Sequence, residues 1–323
     1  MLGPLVFCLL SWSIYRQIQR QPNWQQSFSQ IRDSIITAGI WKPAFVCVLM
    51  FYNWGLEARK WQLVISRVQP ISFLRSFMAT FTGTTLAFFT PNRMGEYFGR
   101  ILYINEGKRL QAISLTIVSS IAQLLVTLWG GVIGVIFLRS YIAAHEPESG
   151  SILLWMNIIL GLGLGGAAIS TLFYFRLSWL VRAIEKIPRI TKYIKFIRVL
   201  EGFKATILLR ILSLSLARYT VFIVQYYLLF EVFSVDISWW QAFWAVSVMF
   251  LVLAMAPTVA FLTELGVRAK ASMELVQLFS TNVVGILATS LSIWIINLVI
   301  PALIGSLLIL GVKIRNSGLK YNR

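Results

Sequence analysis

Charge, histidine and cysteine are all scarce in this sequence. Of its 323 residues, 13% are charged, one is histidine and two are cysteine. His145 has no partners in a triad arrangement, so nucleophilic or metal chemistry finds no support, and neither a metal nor a cofactor is expected. Cys8 and Cys47 lie in apolar segments without metal or disulfide spacing and read as small buried hydrophobes. Acidic residues, 12 against 29 basic, are the rarer sign. The resulting charge of +17 does not mark a nucleic-acid binder, because the Lys and Arg residues fall between apolar runs, where the positive-inside rule expects them. Anionic membrane lipid is the partner they fit, and nucleic acid is not.

What the sequence has in abundance is apolar residues, 58% of the chain, in runs far longer than a soluble core needs. A crossing takes ~20 mostly apolar residues, so the length accommodates six to eight membrane segments and no soluble catalytic domain. The expected fold is all-α and polytopic, one transmembrane domain over 1–323. Spanning helices are expected near 2–15, 41–57, 110–138, 151–175, 205–230 and 281–311. The first apolar stretch has neither a basic leader nor a small-residue cleavage site and reads as an uncleaved helix. Between Arg16 and Thr37, Trp24, Phe28, Ile31 and Ile35 recur at helical spacing, which suits a helix lying on the membrane surface; a plain loop is the alternative.

Two segments, 71–104 and 237–277, depart from this pattern and resemble each other. The stretch from Ile71 to Pro91 aligns without gaps to Ile237 to Pro257 with five identities, among them Phe77 with Phe243, Ala79 with Ala245 and Pro91 with Pro257. Beyond each proline a Glu and an Arg follow four residues apart, Glu96 with Arg100 and Glu264 with Arg268. A long apolar run comes next in both cases, the second containing Pro301 as an expected kink. The chain therefore reads as two repeats, about 41–138 and about 205–311.

Loop charge orients them. The stretch from Arg176 to Lys204 carries eight basic and two acidic residues and is expected in the cytoplasm. The stretches Arg139 to Ser149 and Glu231 to Asp236 are poor in basic residues and are expected outside, whereas the tail after Gly311, with four basic residues, is expected inside. For both termini to be cytoplasmic, 237–277 must enter and leave on the outer side. By the charges of Arg59, Lys60, Arg67, Lys108 and Arg109, 71–104 does so on the inner side. The repeats are then inverted, each with a re-entrant helical hairpin.

A charged side chain at membrane depth costs ~2.5–3.5 kcal/mol on insertion scales, so Arg93, Glu96, Arg100, Glu264 and Arg268 beside broken helices require compensation. Non-helical backbone at depth is tolerated where it lines a cavity, which makes Pro91, Gly95, Pro257 and Gly266 candidate helix breaks in a pocket wall. The bland reading places the breaks at the interface, with each Glu and Arg merely paired on one helix face. On the functional reading the arginines hold an anionic headgroup by charge-assisted hydrogen bonds. Arg210 can snorkel to the inner face, while Arg218 sits nearer mid-helix and either joins this cavity or pairs with another helix. The GLGLGG run from Gly161 to Gly166 satisfies the letter of a dinucleotide fingerprint, but no strand precedes it and close helix packing is expected instead. Arg189, Lys192, Lys195 and Arg198, interleaved with apolar residues, suit a cytoplasmic surface helix on anionic lipid.

TPNRMGEYFGR, from Thr90 to Arg100, resembles the Pro-x-Arg-x-Gly-Glu-x-x-x-Arg motif of the transmembrane region of lysylphosphatidylglycerol synthases, the flippase-like domain family. APTVAFLTELGVR, from Ala256 to Arg268, is similar to that family's second motif, which departs here in having Ala269 after Gly266-Val267-Arg268 and Glu264 ahead of it. The resemblance implies a flippase of a bacterial inner membrane that moves a phospholipid or related anionic lipid. The family's soluble aminoacyl-transferring domain is not among these residues, so no enzymatic activity is expected. A separate lipid-modifying enzyme and a second copy of the chain are the implied protein partners. A secondary transporter of a small anionic solute would use the same broken-helix site and is the alternative; a membrane-embedded lipid transferase would need His, Asp or Cys at depth, which are scarce.

Overall fold

The computed structural model describes Trp12 and residues 40–145, 150–186, 194–255 and 261–309. The expected helix at 2–15 and surface helix at 16–37 lie outside the described residues, apart from the helical Trp12. Among the described residues every regular element is a helix. In order come α1 (Trp41–Ile65), α2 (Phe73–Phe88), α3 (Gly95–Ile101), α4 (Arg109–His145), α5 (Gly150–Phe175), α6 (Leu177–Glu185), α7 (Ala205–Val232), α8 (Trp239–Met255), α9 (Phe261–Val276) and α10 (Val283–Trp294, continuing to Ile309).

Among the described residues, four stretches are long and apolar enough to cross a membrane: Glu106–His145, Gly150–Phe175, Ala205–Val232 and Val283–Ile309. Large apolar side chains on their outer faces, such as Ile133, Trp155, Leu162, Leu216 and Leu307, are exposed, as side chains facing lipid are. The helix expected over 41–57 instead runs 25 residues to Ile65 and carries Glu57, Arg59 and Lys60 within it. Lys60, expected among the inner-side loop charges, is therefore a buried helical residue, 1% exposed.

The two related segments each form a pair of packed helices, and their shared residues have local reasons. Ser72 caps α2 by accepting from the Arg75 backbone N–H at 3.3 Å, and the aligned Ser238 accepts from the Gln241 N–H at 3.4 Å ahead of α8. Ala79 and Ala245 are both fully buried. The helix α2 ends three residues before Pro91, which opens a single 3₁₀ turn rather than interrupting a helix. In that turn Asn92 and Arg93 have φ of 50° and 57°, a left-handed conformation that reverses the chain. The helix α3 then returns antiparallel along α2. Gly95 and Gly99 permit this close approach, since a Cβ on Gly99 would lie 2.5 Å from the Gly83 Cα and one on Gly95 2.2 Å from the Leu86 carbonyl oxygen. The corresponding residues 256–260, with Pro257, lie outside the described residues. Gly266 does not break its helix: α9 runs through it from Phe261 to Val276, and hydrogen bonding continues past a single buried glycine.

The halves exchange contacts. The helices α1 and α7 pack antiparallel, tied by Gln225 Nε2 donating to the Val46 carbonyl at 3.0 Å and by the Lys42–Glu231 ion pair at 3.0 Å. Phe81 and Thr85 of α2 face Gly305 and Ala302 of α10, with Thr85 Oγ1 donating to the Ala302 carbonyl at 2.8 Å. Their aligned counterparts on α8, Ser247 and Leu251, face Gly134 and Gly131 of α4. Each hairpin's first helix thus lies on the long helix of the opposite half, at a pair of small residues three apart. Ahead of Pro301, which cannot donate a helical N–H, α10 widens into a π turn over Ile295–Val299. Within the GLGLGG run only Gly163 meets a neighbour, Val132 at 3.1 Å from its would-be Cβ; Gly161, Gly165 and Gly166 face open space, so the expected close packing is limited to one position.

Candidate functional site

The polar residues of α1 start the site. The helix turns Asn53, Glu57 and Lys60 to one buried face, along with Trp54 and Trp61. Glu57, 5% exposed, is its hub. Its carboxylate accepts from Lys60 Nζ at 2.8 Å and from Arg100 Nη2 of α3 at 2.9 Å, and it also pairs with Arg218 Nη1 of α7. Arg218 donates further to Asn53 Oδ1 at 2.8 Å, and Gln123 of α4 receives longer contacts, at 3.4 Å each, from Lys60 and Arg218. One carboxylate thereby joins three helices, and through Lys60 and Arg218 the network reaches a fourth. Indole rings cover the guanidinium groups, Trp54 lying 5.5 Å from Arg218 and Trp61 5.9 Å from Arg100.

The hairpin arginines are held in parallel ways. Arg100 pairs with Glu96, one turn before it, and with Glu57 of α1. Arg268 pairs with Glu264, again one turn before it, at 2.9 Å, and its Nη1 donates to Tyr226 of α7 at 3.0 Å. Both Glu-Arg pairs are thus made within a helix and then completed by the first helix of their own half. The completing group is a carboxylate in one half and a phenol in the other. Burial explains why pairing is needed: Arg100 is 1% exposed, and an isolated ion there would cost several kcal/mol.

These residues surround a cavity of about 380 Å³. Arg93 and Glu96 enter its wall from the first hairpin, Glu264 and Arg268 from the second, Glu57 and Lys60 from α1, and Arg218 from α7. Gln123 and Thr127 of α4, Asn297 in the π turn of α10, and an apolar border of Phe222, Phe250, Leu253 and Trp294 complete it. Arg93, in its left-handed turn, is 40% exposed at the side chain and stands 4.0 Å from Glu96. It also interacts electrostatically with Glu264 of the opposite hairpin.

Of the six charged residues singled out from the sequence, five line this one cavity. The sixth, Arg100, lies behind its wall, where Glu57 and Glu96 occupy its Nη2 and where its Nε and Nη1 have no hydrogen-bond partner among the described residues. For Arg218 both sequence alternatives hold together, since it pairs with α1 and faces the cavity. Arg210 is exposed. Of the basic stretch from Arg189 to Arg198, residues 189–193 lie outside the described residues; Ile194–Ile197 is one helical turn. Sequence reasoning missed Glu57, Lys60, Asn53, Gln123 and Asn297. The signal for the first two was present: Glu57 and Lys60 are three apart, a spacing that stacks them on one helix face.

The arrangement gathers guanidinium and ammonium donors around a space bordered by apolar rings, suited to holding an anion attached to an apolar body. Among the described residues no group of His, Cys, Asp and Glu could hold a metal ion. No curated protein and no solved structure matches the chain. A family does: residues 2–305 match the lysylphosphatidylglycerol synthase TM region, and the chain belongs to that family of membrane proteins.

Proposed function

We propose that the protein is a lipid translocase, which carries a phospholipid or related anionic lipid between leaflets by receiving its headgroup in the central cavity. The carrying observation is that both hairpins, distant in sequence, contribute a glutamate and an arginine, Glu96 with Arg93 and Glu264 with Arg268, to one cavity that also takes Arg218 and Lys60. Family membership supports a role in lipid handling. The crossed contacts of α2 on α10 and α8 on α4 support an inverted pair of re-entrant hairpins, the architecture in which two halves rock about a fixed site. In this reading the lipid is moved unchanged, the membrane is an inner membrane with both termini cytoplasmic, and membrane lipids are the main partners. A second copy of the chain or a separate lipid-modifying enzyme would be an additional partner.

Arg218 and Arg268 hold the headgroup by hydrogen bonds from the donors their carboxylates leave free. Arg100 is a positioning residue: it fixes Glu57 and Glu96 without reaching the cavity. Proteoliposomes carrying a headgroup-labelled anionic phospholipid test the proposal, with a membrane-impermeant quencher reporting transfer between leaflets. Arg268→Lys keeps the charge but loses the planar fork and should slow transfer several-fold, and Arg268→Ala should slow it further. Wild-type transfer rates in Arg268→Ala and Arg218→Ala, with both proteins folded, would refute it.

A further inference from the structure

Charge in the cavity is not balanced, and the imbalance specifies the ligand. Among the described residues, three carboxylates, Glu57, Glu96 and Glu264, face five cations. Glu264 is committed to Arg268 and Glu96 to Arg100. Glu57 is then left to serve both Lys60 and Arg218, and Arg93 has only a marginal 4.0 Å approach to Glu96. The cluster carries an excess of two positive charges, one in the Lys60–Arg218 pair and one on Arg93. Lys60 and Arg218 are 1% and 8% exposed, so water screens their share of the excess poorly.

Resting on the translocase reading, we infer that the cavity selects a group with two negative charges, a terminal phosphate monoester or a diphosphate esterified at both ends, over the singly charged phosphodiester of ordinary phospholipids. A dianion neutralises the cluster, whereas a phosphodiester leaves one of its two excess positive charges without a counter-charge. A terminal phosphate also offers three free oxygens, one for each of Lys60, Arg93 and Arg218, where a diester offers two. The same chemistry is met in a lipid ending in a phosphate and in free phosphate.

The test uses the purified full chain at pH 7.5, where a phosphate monoester, with a second pKa near about 6, is mostly dianionic. Binding of inorganic phosphate is compared with that of dimethyl phosphate. In nanodiscs of matched surface charge, phosphatidate is compared with phosphatidylglycerol of the same acyl chains. The expected result is a preference for the dianion on the order of tenfold or more in each pair. Either Lys60→Gln or Arg93→Gln should reduce it to about twofold, Arg93 being exposed enough that its loss leaves the fold intact. Phosphatidate binding far more tightly than inorganic phosphate identifies a lipid as the source, and equal binding identifies a free anion; both keep the inference. Equal or tighter binding of dimethyl phosphate and phosphatidylglycerol overturns it while leaving the anion site standing. Binding of none of the four overturns the inference and the translocase reading together.

Discussion

Glu57→Gln isolates the hub of the site, because glutamine preserves size while removing the charge and turning one of two acceptor oxygens into a donor. In the wild type one carboxylate, 5% exposed, contacts Lys60 at 2.8 Å, Arg100 at 2.9 Å and Arg218. After the substitution Arg100 retains Glu96, but Lys60 and Arg218 have no carboxylate and repel each other at the 1% and 8% exposed positions they occupy. Removing one partner of a buried ion pair costs about 3–5 kcal/mol. At about 1.4 kcal/mol per factor of ten, this is a shift of at least about a hundredfold in the folding equilibrium. Unfolding in mixed detergent and SDS micelles, followed by loss of helical circular dichroism, measures it. The double change Glu57→Gln with Lys60→Met removes the stranded ammonium and should recover at least half of the loss, a coupling that a double-mutant cycle reads directly. A single mutant within about 1 kcal/mol of wild type, or a double mutant no better than the single, would show that Glu57 does not neutralise this cluster.

Two further outcomes are expected. Gly99→Ala should destabilise the protein by about 1–3 kcal/mol, because the new methyl would sit 2.5 Å from the Gly83 Cα, whereas Gly161→Ala, with open space around it, should be neutral or stabilising; equal thermal stability of the two variants would contradict the α2–α3 contact. In a cysteine-free background, a cysteine at Gly150 should react with an impermeant maleimide from outside the cell and one at Lys204 only after the membrane is opened, and the reverse pattern would invert the proposed orientation.

The sequence by itself determined the solvent in which this chain folds, the family, and the pairs that act within one helix. Long apolar runs report their environment whatever they pack against, so α4, α5, α7 and α10 were legible to within a few residues, α4 apart, which continues to His145. Glu264 with Arg268 and Glu96 with Arg100 were equally legible, because a four-residue spacing on a helix brings side chains together regardless of tertiary context. The tertiary structure decided everything that needed a second helix. It extended α1 through Glu57 and Lys60, since charges that look like loop residues in isolation remain helical once Arg100 and Arg218 arrive from α3 and α7. It also turned Pro301 into a π turn that presents Asn297, kept Gly266 inside a helix, and moved Arg100 behind the wall it had been expected to form. Periodicity specifies which face of a helix is polar, but which cation meets which carboxylate across helices depends on crossings between residues more than a hundred positions apart, as Glu57 and Arg218 are.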